Sequence, residues 1–243
     1  MSAETDQSLI PAEVTIPEES KRAFREALTA LNEVGVPYVV GGAFAIHHYS
    51  GVWRYTNDLD VYMERGYVPD AVEALSGIGF RDFGEQAAGD REWIYHAMKD
   101  GTIMDVIWQS PNRVTSFDGT FYERGSPGAF LGIPVHFMPA EDLVLAKVYT
   151  LSHQRSDWPD VFQVIRGVGD NLDWRYVMEK LGDNWPVLLS LVVLYDWTYP
   201  SEAWKAPDAV RDDLLRRKLT YRPSPDEPVR ECVLDPWLYT RPL

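Results

Sequence analysis

The sequence predicts an α+β fold, a mixed sheet flanked by helices followed by a C-terminal helical region. Two observations predict it. Between residues 17 and 138, short apolar runs of strand length alternate with stretches of helical spacing. After Pro139 the strand-like runs stop, and helical spacing continues until a proline-rich end. The expected organisation is a flexible tail at 1–16, an α/β core at 17–138, a helical domain at 139–222 and a Pro-rich tail at 223–243.

Each element has a local reason. Pro17-Glu18-Glu19 suits a helix start, since proline fits the first turn and acids complement the N-terminal dipole. Phe24, Ala27, Leu28, Leu31 and Val34 follow helical spacing, and Gly35 is the expected cap. Val36 to Val40 reads as a buried strand, Gly42 to Tyr49 as a short helix and Leu59 to Met63 as the next strand. Val68-Pro69-Asp70 opens a helix with Ala71, Val72, Ala74 and Leu75 inward. Phe80 to Phe83 reads as a short strand. Glu92 to Met98 and Ile103 to Trp108 read as a hairpin around Lys99-Asp100-Gly101-Thr102, an Asp-Gly turn signal.

Pro111 to Pro127 reads as loop, anchored by Phe121 and Tyr122. Ala129 to Leu131 and Val135 to Phe137 form two further expected strands. Ala140 to Leu151, Pro159 to Val168, Trp174 to Leu181, Pro186 to Trp197 and Pro207 to Leu219 read as helices. The first of these offers Leu143, Val144, Ala146, Val148 and Leu151 to a core. Val233, Leu234, Trp237, Leu238 and Tyr239 suggest that part of the end docks on the body, and this aromatic, proline-rich end could also meet a protein partner.

Composition narrows the function. The chain has 243 residues, 45% apolar and 25% charged, as in ordinary globular proteins. No apolar run reaches the roughly 18 residues that span a bilayer, so no membrane partner is expected. Met1-Ser-Ala-Glu-Thr-Asp-Gln lacks the basic and apolar segments of a secretory signal. Cys232 is the only cysteine, which excludes an internal disulfide. A cytoplasmic setting is the expectation. The formal charge of −14 repels nucleic-acid backbones. Arg211, Arg216, Arg217, Lys218 and Arg222 form the densest basic cluster, read as a solvated helix face balanced by Asp212 and Asp213.

The chemistry concentrates in three aspartates. Asp58 and Asp60 stand in Asp-Leu-Asp inside an apolar run, and on a strand they share one face. Asp105 lies between Ile103-Met104 and Val106-Ile107-Trp108. Strand interiors disfavour Asp, so each placement needs a reason. Neighbouring strands would bring the three together as an all-oxygen site for Mg²⁺ or Mn²⁺, which bind substrate phosphates. Shortly before them, Gly41-Gly42 ends a strand and opens a helix, a place where phosphate can approach backbone N–H groups. The five histidines show no paired metal spacing, which argues against a metal-dependent phosphohydrolase.

Val40-Gly41-Gly42-Ala43-Phe44-Ala45, then Arg54-Tyr55-Thr56-Asn57-Asp58-Leu59-Asp60, then Asp105, resemble the nucleotidyltransferase superfamily typified by DNA polymerase β. The likeness is greatest to small bacterial nucleotidyltransferases, including toxin–antitoxin and abortive-infection members. Pro139 to Lys147 and Arg155 to Val161 are similar to helical segments of those enzymes, so the likeness spans roughly residues 36–165. It implies a metal-dependent transfer of a nucleoside monophosphate from a nucleoside triphosphate to an acceptor hydroxyl, with release of pyrophosphate. It implies metal ligation by Asp58, Asp60 and Asp105, with Asp105 also a general base. It places Gly41, Gly42, Arg54, Thr56 and Lys147 at the nucleotide, Lys147 as a mobile charge reaching the triphosphate. Asp157 and Asp160 could orient Arg155 or Lys147, or Asp157 could cap a helix. The alternative is a non-catalytic, antitoxin-like module of the same fold. The acceptor is left open among small molecules, tRNA and protein. Gly42 stands where many members carry serine, and 15 residues separate it from Asp58.

Overall fold

The computed structural model describes residues 15–84, 90–151 and 155–234. The chain divides after Pro139 into two compact units.

The first unit opens with α1 (Glu18–Glu33), whose buried stripe is Ala23, Phe24, Ala27, Leu28 and Leu31. Gly35 leaves it at φ +70°. Val34, expected on the stripe, is 54% exposed because the helix has already turned out. Then come β1 (Val39–Val40), α2 (Gly42–Ser50), β2 (Asp58–Tyr62), α3 (Val68–Gly77), β3 (Arg81–Asp82), β4 (Ile94–Lys99), β5 (Thr102–Ile107), α4 (Thr120–Arg124), β6 (Ser126–Phe130) and β7 (Ile133–Phe137).

The strands form one seven-stranded mixed sheet in the order β3-β4-β5-β2-β1-β7-β6. β2 is parallel to β5, and β1 is parallel to β7. The remaining pairings are antiparallel. Phe24, Phe44 and Phe130 pack together, with ring centroids 4.4–6.4 Å apart, and tie α1 and α2 to the sheet. Each such side chain, fully buried, contributes about 1.5–3 kcal/mol.

The stretch expected as loop between Pro111 and Pro127 contains α4 and the start of β6. Asp118 Oδ1 accepts the Thr120 N–H at 3.0 Å, and Phe121 is buried against Phe117. Tyr122, expected as a second anchor, is 40% exposed. Pro127 and Gly128 lie in an edge strand, where proline costs no ladder bond.

The second unit is helical: α5 (Ala140–Val148), α6 (Trp158–Val168), α7 (Trp174–Leu181), α8 (Trp185–Thr198), α9 (Asp208–Thr220) and the short α10 (Glu231–Leu234). α5 buries Leu143, Val144, Leu145 and Val148. It ends before Leu151, which is exposed, and Ala146 is only half-buried. Phe162, Tyr195 and Tyr199 pack α6 on α8. The basic cluster lies largely on α9. There Arg217 pairs with Asp213 and Arg211 is held by Asp196, so much of its charge is balanced locally.

Of the expected N-terminal tail, residues 1–14 lie outside the described residues, and Ile16 is already buried. At the other end Val233 and Leu234 are half-buried in α10, while Trp237, Leu238 and Tyr239 lie outside the described residues. No helix among the described residues is long and apolar enough to cross a membrane.

Candidate active site

The centre of the sheet builds the site. Along β2 burial alternates: Leu59 and Val61 are fully buried, while Asp58, Asp60 and Tyr62 take the other, half-buried face. β5 runs parallel beside it, with Asp60 directly opposite Asp105 and Asp58 opposite Ile103. The three expected aspartates thus converge. One carboxylate oxygen from each lies within 4.8 Å of the others.

At that spacing each pair of charges repels by about 3.5 kcal/mol or more at an effective dielectric of 20, before solvent screening. Some of this is met locally. The Thr56 hydroxyl donates to Asp58 Oδ1, which places this residue at the mouth of β2. His96 Nδ1 stands 2.7 Å from Asp105 Oδ1. Three convergent carboxylates form a hard, all-oxygen donor set that fits Mg²⁺ or Mn²⁺.

The glycine turn adjoins the acids. Gly41 N–H donates to the Asp60 carbonyl at 3.0 Å, which extends the β1–β2 ladder by one residue. A Cβ on Gly41 would lie 2.2 Å from Tyr62 Cε2. Gly42 begins α2 at φ +55°, and a Cβ there would meet Asp60 Oδ2. The N-terminus of α2 and the Asp60 carboxylate are therefore immediate neighbours.

Arg54 is exposed in the segment leading to β2. Lys147 is buried in the second unit, its ammonium 2.8 Å from Asp157 Oδ2 and 3.0 Å from Asp160 Oδ2. Two carboxylates hold its ammonium. Arg155 also grips Asp157, through Nε at 2.6 Å and Nη2 at 2.8 Å. The Asp157 side chain forms no helix cap and serves these cations instead. Burial pushes the Asp157 carboxyl up, but Lys147 and Arg155 outweigh it and hold it below its ordinary value. His48 stacks on Phe137 at 4.1 Å, and burial, then the neighbouring His47, lower its pKa. It is a packing histidine.

His96 is the site neighbour that residue-by-residue reading passed over. The signal was present: a two-residue Asp-Gly turn pairs Lys99 with Thr102, and counting back three pairs puts His96 opposite Asp105.

The profile of a family described as uncharacterised nucleotidyltransferase matches residues 20–194, most of the chain. The chain belongs to this nucleotidyltransferase family. It is accordingly a transferase enzyme, and the acid cluster sits inside the matched region. No curated protein sequence matches it. Among solved structures, the antibiotic-resistance factor ANT(2'')-Ia in solution is 15% identical, with 84% of this chain and 95% of that chain covered at a TM-score of 0.45. The lincosamide antibiotic adenylyltransferase LnuA, lincomycin-bound, is 13% identical, with 61% and 96% covered at 0.43. A putative nucleotidyltransferase from H. pylori is 11% identical, with 85% and 100% covered at 0.43.

Proposed function

We propose that the protein transfers a nucleoside monophosphate from a nucleoside triphosphate to an acceptor hydroxyl, releasing pyrophosphate. The observation that carries this reading is the convergence of Asp58, Asp60 and Asp105 beside the Gly41-Gly42 turn. The three aspartates would hold Mg²⁺ or Mn²⁺, which when bound neutralises phosphate charge and favours the displacement.

The chain's own groups do the rest. Asp105 accepts the proton of the acceptor hydroxyl. The freed oxygen bonds to the α-phosphorus, the bond from that phosphorus to the bridging oxygen breaks, and pyrophosphate leaves with the electron pair. The first N–H groups of α2 face phosphate, which Gly42 lets approach the backbone closely. Thr56 steadies Asp58. Arg54 supplies an exposed cation for phosphate. Lys147 serves the ion-pair network of the helical unit, as its burial between Asp157 and Asp160 supports. A surface of −14 repels polyanions and attracts cations, so a small cationic alcohol is the acceptor class that charge favours.

The test is transfer of label from nucleoside triphosphates labelled at the α-phosphate, in the presence of Mg²⁺ and a fractionated cell extract. Label is expected in the small-molecule fraction together with free pyrophosphate, and neither is expected from the Asp58→Ala/Asp60→Ala protein. Equal labelling by wild type and double variant would refute the proposal.

A further inference from the structure

We infer that His96 is a positioning residue for Asp105, holding one oxygen of that carboxylate so that the acid meets its cation in a single orientation. The inference rests on the metal site proposed above.

Backbone geometry fixes the pairing. Asp100 and Gly101 both adopt positive φ, +50° and +79°, as the tightest hairpin turn requires. The turn locks Lys99 against Thr102, and from there the ladder sets His96 directly opposite Asp105. The contact is short, 2.7 Å from Nδ1 to Oδ1. An ionised carboxylate only accepts hydrogen bonds, so Nδ1 carries the proton and donates it.

Packing does not explain the residue. The His96 side chain is 24% exposed, while the core positions of β4 are Ile94 and Ala97. An apolar side chain would fill this place equally well if contact area were all that mattered.

The segment that follows the neighbouring strand β3 holds the His96 backbone in place. Phe83 N–H donates to the His96 carbonyl at 2.9 Å. Gly84 lies close enough that a Cβ on it would stand 3.5 Å from His96 Cδ2. Its own N–H is fixed by Asp82 Oδ1 at 2.8 Å. The segment after β3 therefore anchors the His96 backbone, and the His96 ring reaches Asp105. A carboxylate that binds a cation can rotate about its last bond, and an outer hydrogen bond removes that freedom. Loss of such partners typically costs about 10–100-fold in metal affinity.

The experiment follows Mn²⁺ binding to the full chain by the spin-resonance signal of the free ion, with thermal unfolding measured on the same samples. The proteins are wild type, His96→Ala, His96→Asn and Asp58→Ala/Asp60→Ala. The Asn amide nitrogen stands as many bonds from Cβ as Nδ1 does, so it can make the same donation. His96→Ala is expected to weaken Mn²⁺ by about 10–100-fold while unfolding near the wild-type temperature. His96→Asn is expected to stay within about threefold of wild type, and the double variant to lose binding. If the double variant loses Mn²⁺ but His96→Ala binds as wild type does, the positioning role is wrong and the metal site stands. Equal losses in His96→Ala and His96→Asn also overturn the role. Mn²⁺ binding that survives in the double variant removes the metal site, and the role falls with it.

Discussion

A side chain on Gly42 would compete with Asp60 for the same space, since its Cβ would lie 1.8 Å from Asp60 Oδ2 and its φ is +55°. Serine, common there in the resembling enzymes, would bring a hydroxyl but collide with the Asp60 carboxylate. Glycine therefore leaves room beside the acid. Gly42→Ala should destabilise the protein by about 1–3 kcal/mol in urea unfolding and weaken Mn²⁺ binding. Gly51, at φ +69° with nothing within 4 Å of its missing Cβ, is the control. Gly51→Ala should cost about 1–2 kcal/mol and leave the Mn²⁺ titration unchanged. Equal Mn²⁺ affinity in the two variants would contradict the steric argument. The acids themselves were legible in the sequence, because an aspartate inside an apolar strand is costly without a purpose. His96 was legible only by counting back from the Asp100-Gly101 turn, because it gains meaning only through register.

Helix α5 shows where spacing fails at the scale of an element. Lys147 sits in an apolar run, and periodicity alone cannot tell a lysine reaching water from one enclosed by carboxylates. In the structure α5 buries Asp142 as well as Lys147; Asp142 Oδ1 accepts from the Tyr176 hydroxyl at 2.8 Å. The Lys147–Asp157 pair joins the end of α5 to the start of α6. Asp157→Asn should destabilise the protein by about 3 kcal/mol at neutral pH, since it leaves a buried cation short of a partner. The pH dependence has a definite sign. The folded carboxyl sits below its ordinary value of 3.8, so the native state binds fewer protons than the unfolded chain. Its contribution is present above about pH 4 and is lost as pH falls through the folded value. The stability gap between wild type and Asp157→Asn should therefore narrow from pH 7 toward pH 3, as urea titrations at the two values would show. A constant gap would mean that the pair is not what the substitution removes. The misread stretch before Pro127 has a similar origin. Gly, Ser, Asn and Asp signal turns, but Asp118 uses its side chain to start α4, and the strand that follows is an edge strand that tolerates proline.

For the whole molecule, the split into a sheet-bearing and a helical part was visible in the sequence, because strand-length runs give way to helical spacing near Pro139. Strand order was not. Parallel pairs such as β2–β5 and β1–β7 join segments far apart in the chain, and no local pattern specifies which segments meet. That long-range pairing is what sets Asp105 opposite Asp60 and turns three separate oddities into one acidic cluster. If the cluster holds a cation for a triphosphate, nucleotide binding must depend on both the cation and the acids. The direct measurement is calorimetric titration of nucleoside triphosphate into the full chain, with and without Mg²⁺, for wild type and Asp58→Ala/Asp60→Ala. Binding is expected only for wild type and only with Mg²⁺. Binding that needs no cation, or that persists unchanged in the double variant, would contradict the proposed site.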